Sequence, residues 1–207
     1  MKYAVTVHNA VVVAAAGNFG SGECKLQNPA HDPLRPGADL WDSVSTIASP
    51  AWYDDYVLTV GSVEANGSPS EFSLAGPWVD VAAPGSGLTS LHPSTGDLTN
   101  TTYGVQGNAE PVKGTSFAAP YVSATVALVR SRFPQLSAQQ VMARIEATAH
   151  APAEGVEYVC RARDHRSAGR SHRRRSPPRG CDRRSVDFRR GRGAPGRCSP
   201  RIIDRAT

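Results

Sequence analysis

No apolar run in these 207 residues approaches the roughly 20 that a membrane-crossing helix needs. Met1 is followed by KYAVTVHN, with neither the charged stretch nor the apolar core of a signal peptide. The expectation is a chain that, as written, carries no segment to export or anchor it. Cysteine is equally scarce. Cys24 is the sole cysteine before residue 160, and Cys160, Cys181 and Cys198 lack the spacing of metal ligands. No zinc site and no cofactor are expected, no residue is assigned to a metal, and one early thiol does not make a disulfide framework.

Large apolar residues are missing from the last quarter of the chain, where Val186, Phe188, Ile202 and Ile203 are almost the only ones. Charge divides at the same place. Residues 1–159 hold 7 Lys and Arg against 14 Asp and Glu, whereas residues 160–207 hold 16 against 4, so the overall charge of +5 describes neither part. A segment this basic and this poor in apolar side chains cannot bury enough surface to offset chain entropy, and residues 160–207 are read as a disordered tail. Arginines neutralise phosphates whatever fold carries them, so a nucleic-acid-binding arm is one reading. The Arg, Gly, Pro, Ser and Ala composition and its abrupt onset favour another, out-of-frame translation of GC-rich DNA, and no nucleic-acid partner is expected.

Residues 1–159, by contrast, have the patterning of a folded unit. The run NAVVVAAAGN suits a strand at residues 10–16 buried on both faces of a parallel sheet. Alternation in YVLTVGSV marks a second strand at 56–63, and WVDVAA a third at 78–83. Between the first two lies a polar, Pro-rich stretch read as surface loop. A helix is expected from Thr115 or Ser116 to about Arg132, apolar nearly all round and so buried inside the molecule. Pro134 stops it, and Ser137 with Gln140 three residues later caps a second, amphipathic helix to about Ala149. Strands and helices in this order give an α/β fold with a mostly parallel sheet flanked by helices.

Chemistry concentrates at residues 114–120, GTSFAAP. Ser116 at the start of a helix stands where free N–H groups and the positive end of the helix dipole favour negative charge developing beside it, as acyl transfer requires. Gly114 admits a substrate backbone, and Ala118 and Ala119 keep the first turn thin. Taken alone, GTS is also a common glycine turn followed by a capping serine. A GxSxG elbow needs glycine where this chain has Ala118, which weakens the reading as an α/β-hydrolase. Asn18 ends the first strand, at the carboxyl end of a parallel sheet where ligands bind. Its amide is placed to donate to an oxyanion, although an asparagine between Gly17 and Gly20 also suits a left-handed loop turn.

Taken together, AAAGN at 14–18, VDVAAPG at 79–85 and GTSFAAP at 114–120 resemble the motifs of the subtilisin family, in that family's chain order. CKLQNP, SPAWYDDYVLTVGS, FSLAGPWVDVAAPG and GTSFAAPYVSATVALVRSRFP look more closely like the mycosins, subtilisin-like proteases associated with mycobacterial type VII secretion. The resemblance covers residues 1 to about 157. It implies a serine endopeptidase domain in part, acting on peptide or protein substrates through Ser116, with Asn18 as oxyanion donor. It further implies that Ala15, Ala16 and Gly17 line one wall of the substrate pocket, with Gly114 and Thr115 as further substrate-binding residues. Type VII secretion machinery as partner and a place in the cell envelope or outside the cell follow from the same resemblance.

The family's aspartate motif and its HGxH segment, which precede the serine in chain order, are absent from these residues. His8, His31 and His92 have no HG setting and receive no catalytic role. Asp32, Asp54, Asp55 and Asp80 are read as surface or turn carboxylates. The expectation is family identity with little activity from this sequence by itself. A protease scaffold turned to binding, or a basic-tailed nucleic-acid binder, are the competing functions.

Overall fold

The computed structural model describes residues 1–20, 25–29, 40–103, 107–150 and the backbone of 201–202. Cys24, His31, Asp32 and nearly all of the basic segment therefore lie outside the described residues. A short helix, α1 (Lys2–Thr6), leads into strand β1 (Val13–Ala15), followed by a 3-10 turn at Leu40–Ser43 and strands β2 (Leu58–Val63) and β3 (Val81–Pro84). Two small hairpins come next, β4 (Ser90–Leu91) with β5 (Leu98–Thr99) and β6 (Thr101–Tyr103) with β7 (Ala109–Pro111). Helices α2 (Thr115–Arg132) and α3 (Ala138–Thr148) complete the unit.

β1, β2 and β3 form one parallel sheet in that order, with Val13 opposite Leu58 and Val60 opposite Val81. Each strand is shorter than its apolar run, because pairing sets a strand's ends. Trp78 and Val79 belong instead to a turn closed by Val79 N–H on the Gly76 carbonyl. In the basic segment, β8 (Arg201–Ile202) lies parallel to Val81 and Ala82, so a row of β3 backbone groups finds a partner there, in a stretch where composition gives no strand.

Every residue of β2 is buried, as a strand covered on both faces must be. Alternate side chains serve two different cores. Leu58, Val60, Val81 and Ala83 pack with Ala118, Val122 and Val126 of α2 and with Val141, Met142 and Ile145 of α3. On the opposite face Ala16 and Val79 meet Trp52, Trp78, Val44 and Ile47, with the three tryptophan rings, Trp41 included, at 5.1 to 5.8 Å.

α2 is not enclosed all round. Only a stripe at helical spacing, Ala118, Val122 and Val126, is buried against the sheet, with Thr115 one turn earlier. Phe117, Tyr121 and Leu128 are exposed on the other side, the last at 68%. An apolar composition does not distinguish a helix surrounded by protein from one with a single covered face. α3 has the expected capping box, with Ser137 Oγ accepting from Gln140 N–H and the Gln140 side chain accepting from Ser137 N–H. No described helix is long and apolar enough to cross a membrane.

Candidate active site

The carboxyl end of β1 and the amino end of α2 meet because α2 lies across β1, β2 and β3. Gly114 precedes the helix with φ +153°, a backbone conformation that a side chain disfavours. Its N–H donates to the Gly85 carbonyl at 2.8 Å, which ties the start of α2 to the end of the VDVAAPG segment. Ser116 follows in the first turn and is exposed. Pro120 has no N–H to return to the Ser116 carbonyl, so helical hydrogen bonding is thinned where the serine sits.

Asn18 is held from the other side. Leu74 N–H donates to the Gly17 carbonyl at 2.9 Å and Phe19 N–H to the Phe72 carbonyl at 2.7 Å, so the segment leaving β1 is pinned along residues 72–74. Asn18 Oδ1 then accepts two hydrogen bonds, from the Thr115 N–H and the Thr115 hydroxyl, each at 3.0 Å. A backbone N–H only donates, so the atom facing it must be the amide oxygen, and the orientation of the Asn18 amide follows. Nδ2 is left on the far side, without a hydrogen bond among the described residues.

One point in space relates the groups. A Cβ built on Gly114 would stand 3.2 Å from Ser116 Oγ, 3.4 Å from Asn18 Nδ2 and 3.5 Å from Phe117 Cδ2. The nucleophile-type hydroxyl and the amide donor thus face one gap, and glycine keeps that gap open. The Thr115 N–H is spent on Asn18 and the Phe117 N–H returns to the Gly114 carbonyl. The Ser116 N–H carries no hydrogen bond among the described residues. Asn18 Nδ2 borders the gap as a donor, and the Ser116 N–H at the start of α2 is likewise unspent among the described residues, with the helix dipole adding a favourable field for negative charge of about 0.3 to 1 kcal/mol.

The five residues expected to contact substrate separate on burial. Gly114 borders the gap. Thr115 is 1% exposed and its side chain is used up internally, since its hydroxyl also accepts from Gly17 N–H at 3.2 Å. Ala16 is fully buried among the tryptophans, and its N–H is bonded to Val60 in the sheet. Ala15 and Gly17 are half-buried, and β1 is the last strand of its sheet on that side among the described residues; because Ala16 N–H bonds to Val60, the alternate peptide groups of Ala15 face away from β2.

No proton acceptor sits at Ser116 among the described residues. His8 follows α1 with its ring against Tyr3 at 4.8 Å, and His92 Nδ1 accepts from the N–H groups of Ser94 and Thr95 in the β4–β5 turn. Asp54 and Asp55 lie in the turn before β2, half-buried and exposed. Asp80 departs from its expected place at the surface. It is 4% exposed, and its Oδ2 accepts from the Thr59 N–H at 2.7 Å, because the residue before β3 points back under β2. No group of His, Cys, Asp or Glu able to hold a metal occurs among the described residues.

Two residues that support the site are silent in the sequence. Gln27 and Asn28 sit in the stretch read as surface loop, yet Asn28 is 3% exposed. Its amide donates to the carbonyls of Thr46 and Ala75 and accepts from the N–H groups of Ser45 and Thr46, at 2.7 to 2.9 Å. Gln27 donates to the Ser73 carbonyl and accepts from Ala75 N–H. Together they staple residues 72–75, the strip on which Asn18 rests. The QN pair within CKLQNP is the only signal, and it names no partner.

The model of the subtilase family matches residues 2–188. Mycosin-4 of Mycobacterium tuberculosis is 58% identical over 155 residues, which are 75% of this chain and 32% of that protein. The crystal structure of MycP1 with its N-terminal propeptide removed superposes with a TM-score of 0.64 at 52% identity, covering 73% of this chain and 47% of that one. A chain in the structure of an intact ESX-5 inner membrane complex gives a TM-score of 0.66 at 47% identity, covering 74% and 35%. The chain thus spans about a third of the length of the curated relatives it matches.

Proposed function

We propose, from the premise that this chain belongs to the subtilase family, that it supplies the nucleophile and oxyanion half of a mycosin-like serine endopeptidase. The observation that carries the reading is the shared gap at Gly114, with Ser116 Oγ on one side and Asn18 Nδ2 on the other. In the reaction, Ser116 Oγ attacks a peptide carbonyl while a histidine takes its proton and an aspartate orients that histidine. The carbonyl oxygen, now negative, takes hydrogen bonds from Asn18 Nδ2 and the Ser116 N–H. The amine leaves with the proton, an acyl-enzyme remains on Ser116, and water reverses the sequence. Gly114 gives the carbonyl its space, and the outward peptide groups of Ala15 and the backbone of Gly17 offer one wall to the substrate chain.

No histidine or aspartate stands at Ser116 among the described residues, and the chain by itself is expected to be inactive. The solved relatives that come from ESX inner membrane complexes support an association with type VII secretion machinery at the cell envelope. Fusing the upstream part of Mycosin-4 ahead of this chain tests the catalytic reading. A serine-directed phosphonate should label Ser116 in the fusion, and should label neither the Ser116→Ala fusion nor the chain alone. A folded fusion that stays unlabelled overturns the assignment. Rapid labelling of the chain alone would reveal a proton acceptor among its own residues.

A further inference from the structure

Asn66 is the one asparagine of this chain followed by glycine; the others precede Ala10, Phe19, Pro29, Thr101 and Ala109. Glycine leaves the peptide nitrogen at 67 unshielded by a side chain. The turn that holds the pair follows β2 and is closed twice, by Glu64 N–H on the Ser68 carbonyl at 2.7 Å and by Gly67 N–H on the Glu64 carbonyl at 2.9 Å. Asn66 is exposed. Its Oδ1 accepts from the Ser68 N–H at 3.0 Å and from the Ser68 hydroxyl at 2.7 Å. A backbone N–H only donates, so Oδ1 is the atom facing Ser68 and Nδ2 is turned the other way. The side chain is thereby folded back along its own backbone, over the Gly67 peptide group.

We infer that Asn66 is a site of spontaneous covalent modification, in which the Gly67 backbone nitrogen attacks Asn66 Cγ and the amide is converted to aspartate and isoaspartate. As its bond to Glu64 opens, the Gly67 nitrogen gives its proton to water or hydroxide and forms a bond to Cγ. Negative charge develops on Oδ1, where the Ser68 N–H and hydroxyl already stand, two donors in the arrangement that stabilises an oxyanion. Nδ2 takes a proton and leaves as ammonia, which closes a cyclic imide. One water then opens the imide at either carbonyl. Opening at the side-chain carbonyl gives aspartate; opening at the main-chain carbonyl gives isoaspartate, whose backbone runs through Cβ and Cγ and is one atom longer. Water enters, ammonia leaves, and no oxidant or other reactant is required. The extra atom falls inside the turn that joins β2 to residues 70–75, the strip on which Asn18 rests. Just beyond the turn Ser70 N–H donates to the Ser62 carbonyl at 2.9 Å, and both serines are buried. A longer turn slackens that pairing, while the aspartate form only adds a negative charge at the surface.

The test incubates the full chain at neutral and mildly alkaline pH in 18O-labelled water and follows each asparagine peptide by mass spectrometry. The Asn66 peptide should lose its amide nitrogen and gain 18O well ahead of the peptides holding Asn100 and Asn108, which are equally exposed. The rate should rise with pH, and an isoaspartyl methyltransferase should methylate part of the product. Ser68→Ala removes the hydroxyl donor and keeps the N–H, and in the folded chain it should slow the conversion on the order of 2- to 10-fold, the worth of one net hydrogen bond. In urea, where the turn is gone, the two rates should agree. The isoaspartate form should exchange its Ser70 N–H faster than the unmodified chain. Conversion at Asn66 no faster than at Asn108 overturns the inference, and that comparison needs no variant. Equal rates for the folded wild type and folded Ser68→Ala overturn the part given to Ser68, and an unchanged Ser70 exchange overturns the effect on the strip.

Discussion

The two halves of the site differ in how completely this chain determines them. Around Asn18 everything is fixed: Oδ1 is doubly bonded, the flanking backbone is pinned on residues 72–74, and that strip is stapled by Gln27 and Asn28. One residue beyond Thr115, the Ser116 hydroxyl is exposed with no hydrogen bond among the described residues. The first half is preorganised, which is what electrostatic stabilisation of a transition state requires. The second is a bare alcohol, and an alcohol at neutral pH is a poor nucleophile until a base takes its proton. Preorganisation is local and can be built from neighbouring segments, while general-base catalysis needs a group brought from elsewhere.

The strongest way to break this contrast is to give the second half its base. In subtilisin, removing nucleophile or base costs about 2 × 10⁶ in kcat, and that measured magnitude sets the scale for the difference between the chain alone and the Mycosin-4 fusion. Within the fusion, Asn18→Ala should then remove the first half's contribution. The oxyanion asparagine of subtilisin is worth about 10² to 10³ in kcat, and a loss of that size, with KM nearly constant, is expected in steady-state peptide hydrolysis. A loss below tenfold would mean that the Asn18 amide, however well held, is not aimed at the developing charge.

Asn28 sharpens the comparison by attacking preorganisation from below. Asn28→Ala would leave the carbonyls of Thr46 and Ala75 and the Thr46 N–H buried and unpaired, at about 1 to 3 kcal/mol for each group that water cannot reach, while the Ser45 N–H lies nearer the surface. The expected outcome is a drop of at least about 3 kcal/mol in denaturant-measured stability. If the strip at 72–75 loosens before the domain unfolds, Asn18 should lose its order in step. An unchanged midpoint would show that the loops at 27, 45 and 74 are held by something other than this amide.

This asymmetry also explains what could be read without a structure. Gly114, Ser116 and Asn18 were legible because a glycine, a serine at a helix start and an asparagine at a strand end each carry a chemical reason for their position. Thr115 reads in the sequence as a substrate contact and not as the partner of the Asn18 amide, since that oxygen lies 97 positions away in the chain. Asp80 and Asn28 look like loop residues because polarity is visible in a sequence while burial with partners is not. The strands were found from period and β-branching, yet their ends were set by pairing. The exposed side of α2 carries Phe117, Tyr121 and Leu128, larger apolar side chains than the buried Ala118, Val122 and Val126, so only the position of the sheet tells the two sides apart.

The smallest effect is expected at the capping box of α3, and its value lies in where it should not act. Ser137 Oγ accepts from Gln140 N–H while Gln140 accepts from Ser137 N–H, so Ser137→Ala frees the Gln140 N–H, and leaves the reciprocal backbone bond, in a helix whose buried residues, Val141, Met142 and Ile145, complete the core beneath α2. Loss of such a cap costs about 1 kcal/mol. The helix end is exposed and water can replace the lost partner, so the cost should appear as a modest fall in Tm and leave the core intact. α2 would keep its seat on the sheet, and with it the geometry of Thr115, Asn18 and Ser116. Phosphonate labelling of a Ser137→Ala fusion, measured well below its Tm, should match the parent within about twofold, a spread well inside one tenfold step of 1.4 kcal/mol. Slower labelling at full occupancy of the folded state would mean that the preorganised half of the site draws on the stability of the whole helical layer, and that its rigidity is not the local property its hydrogen bonds describe.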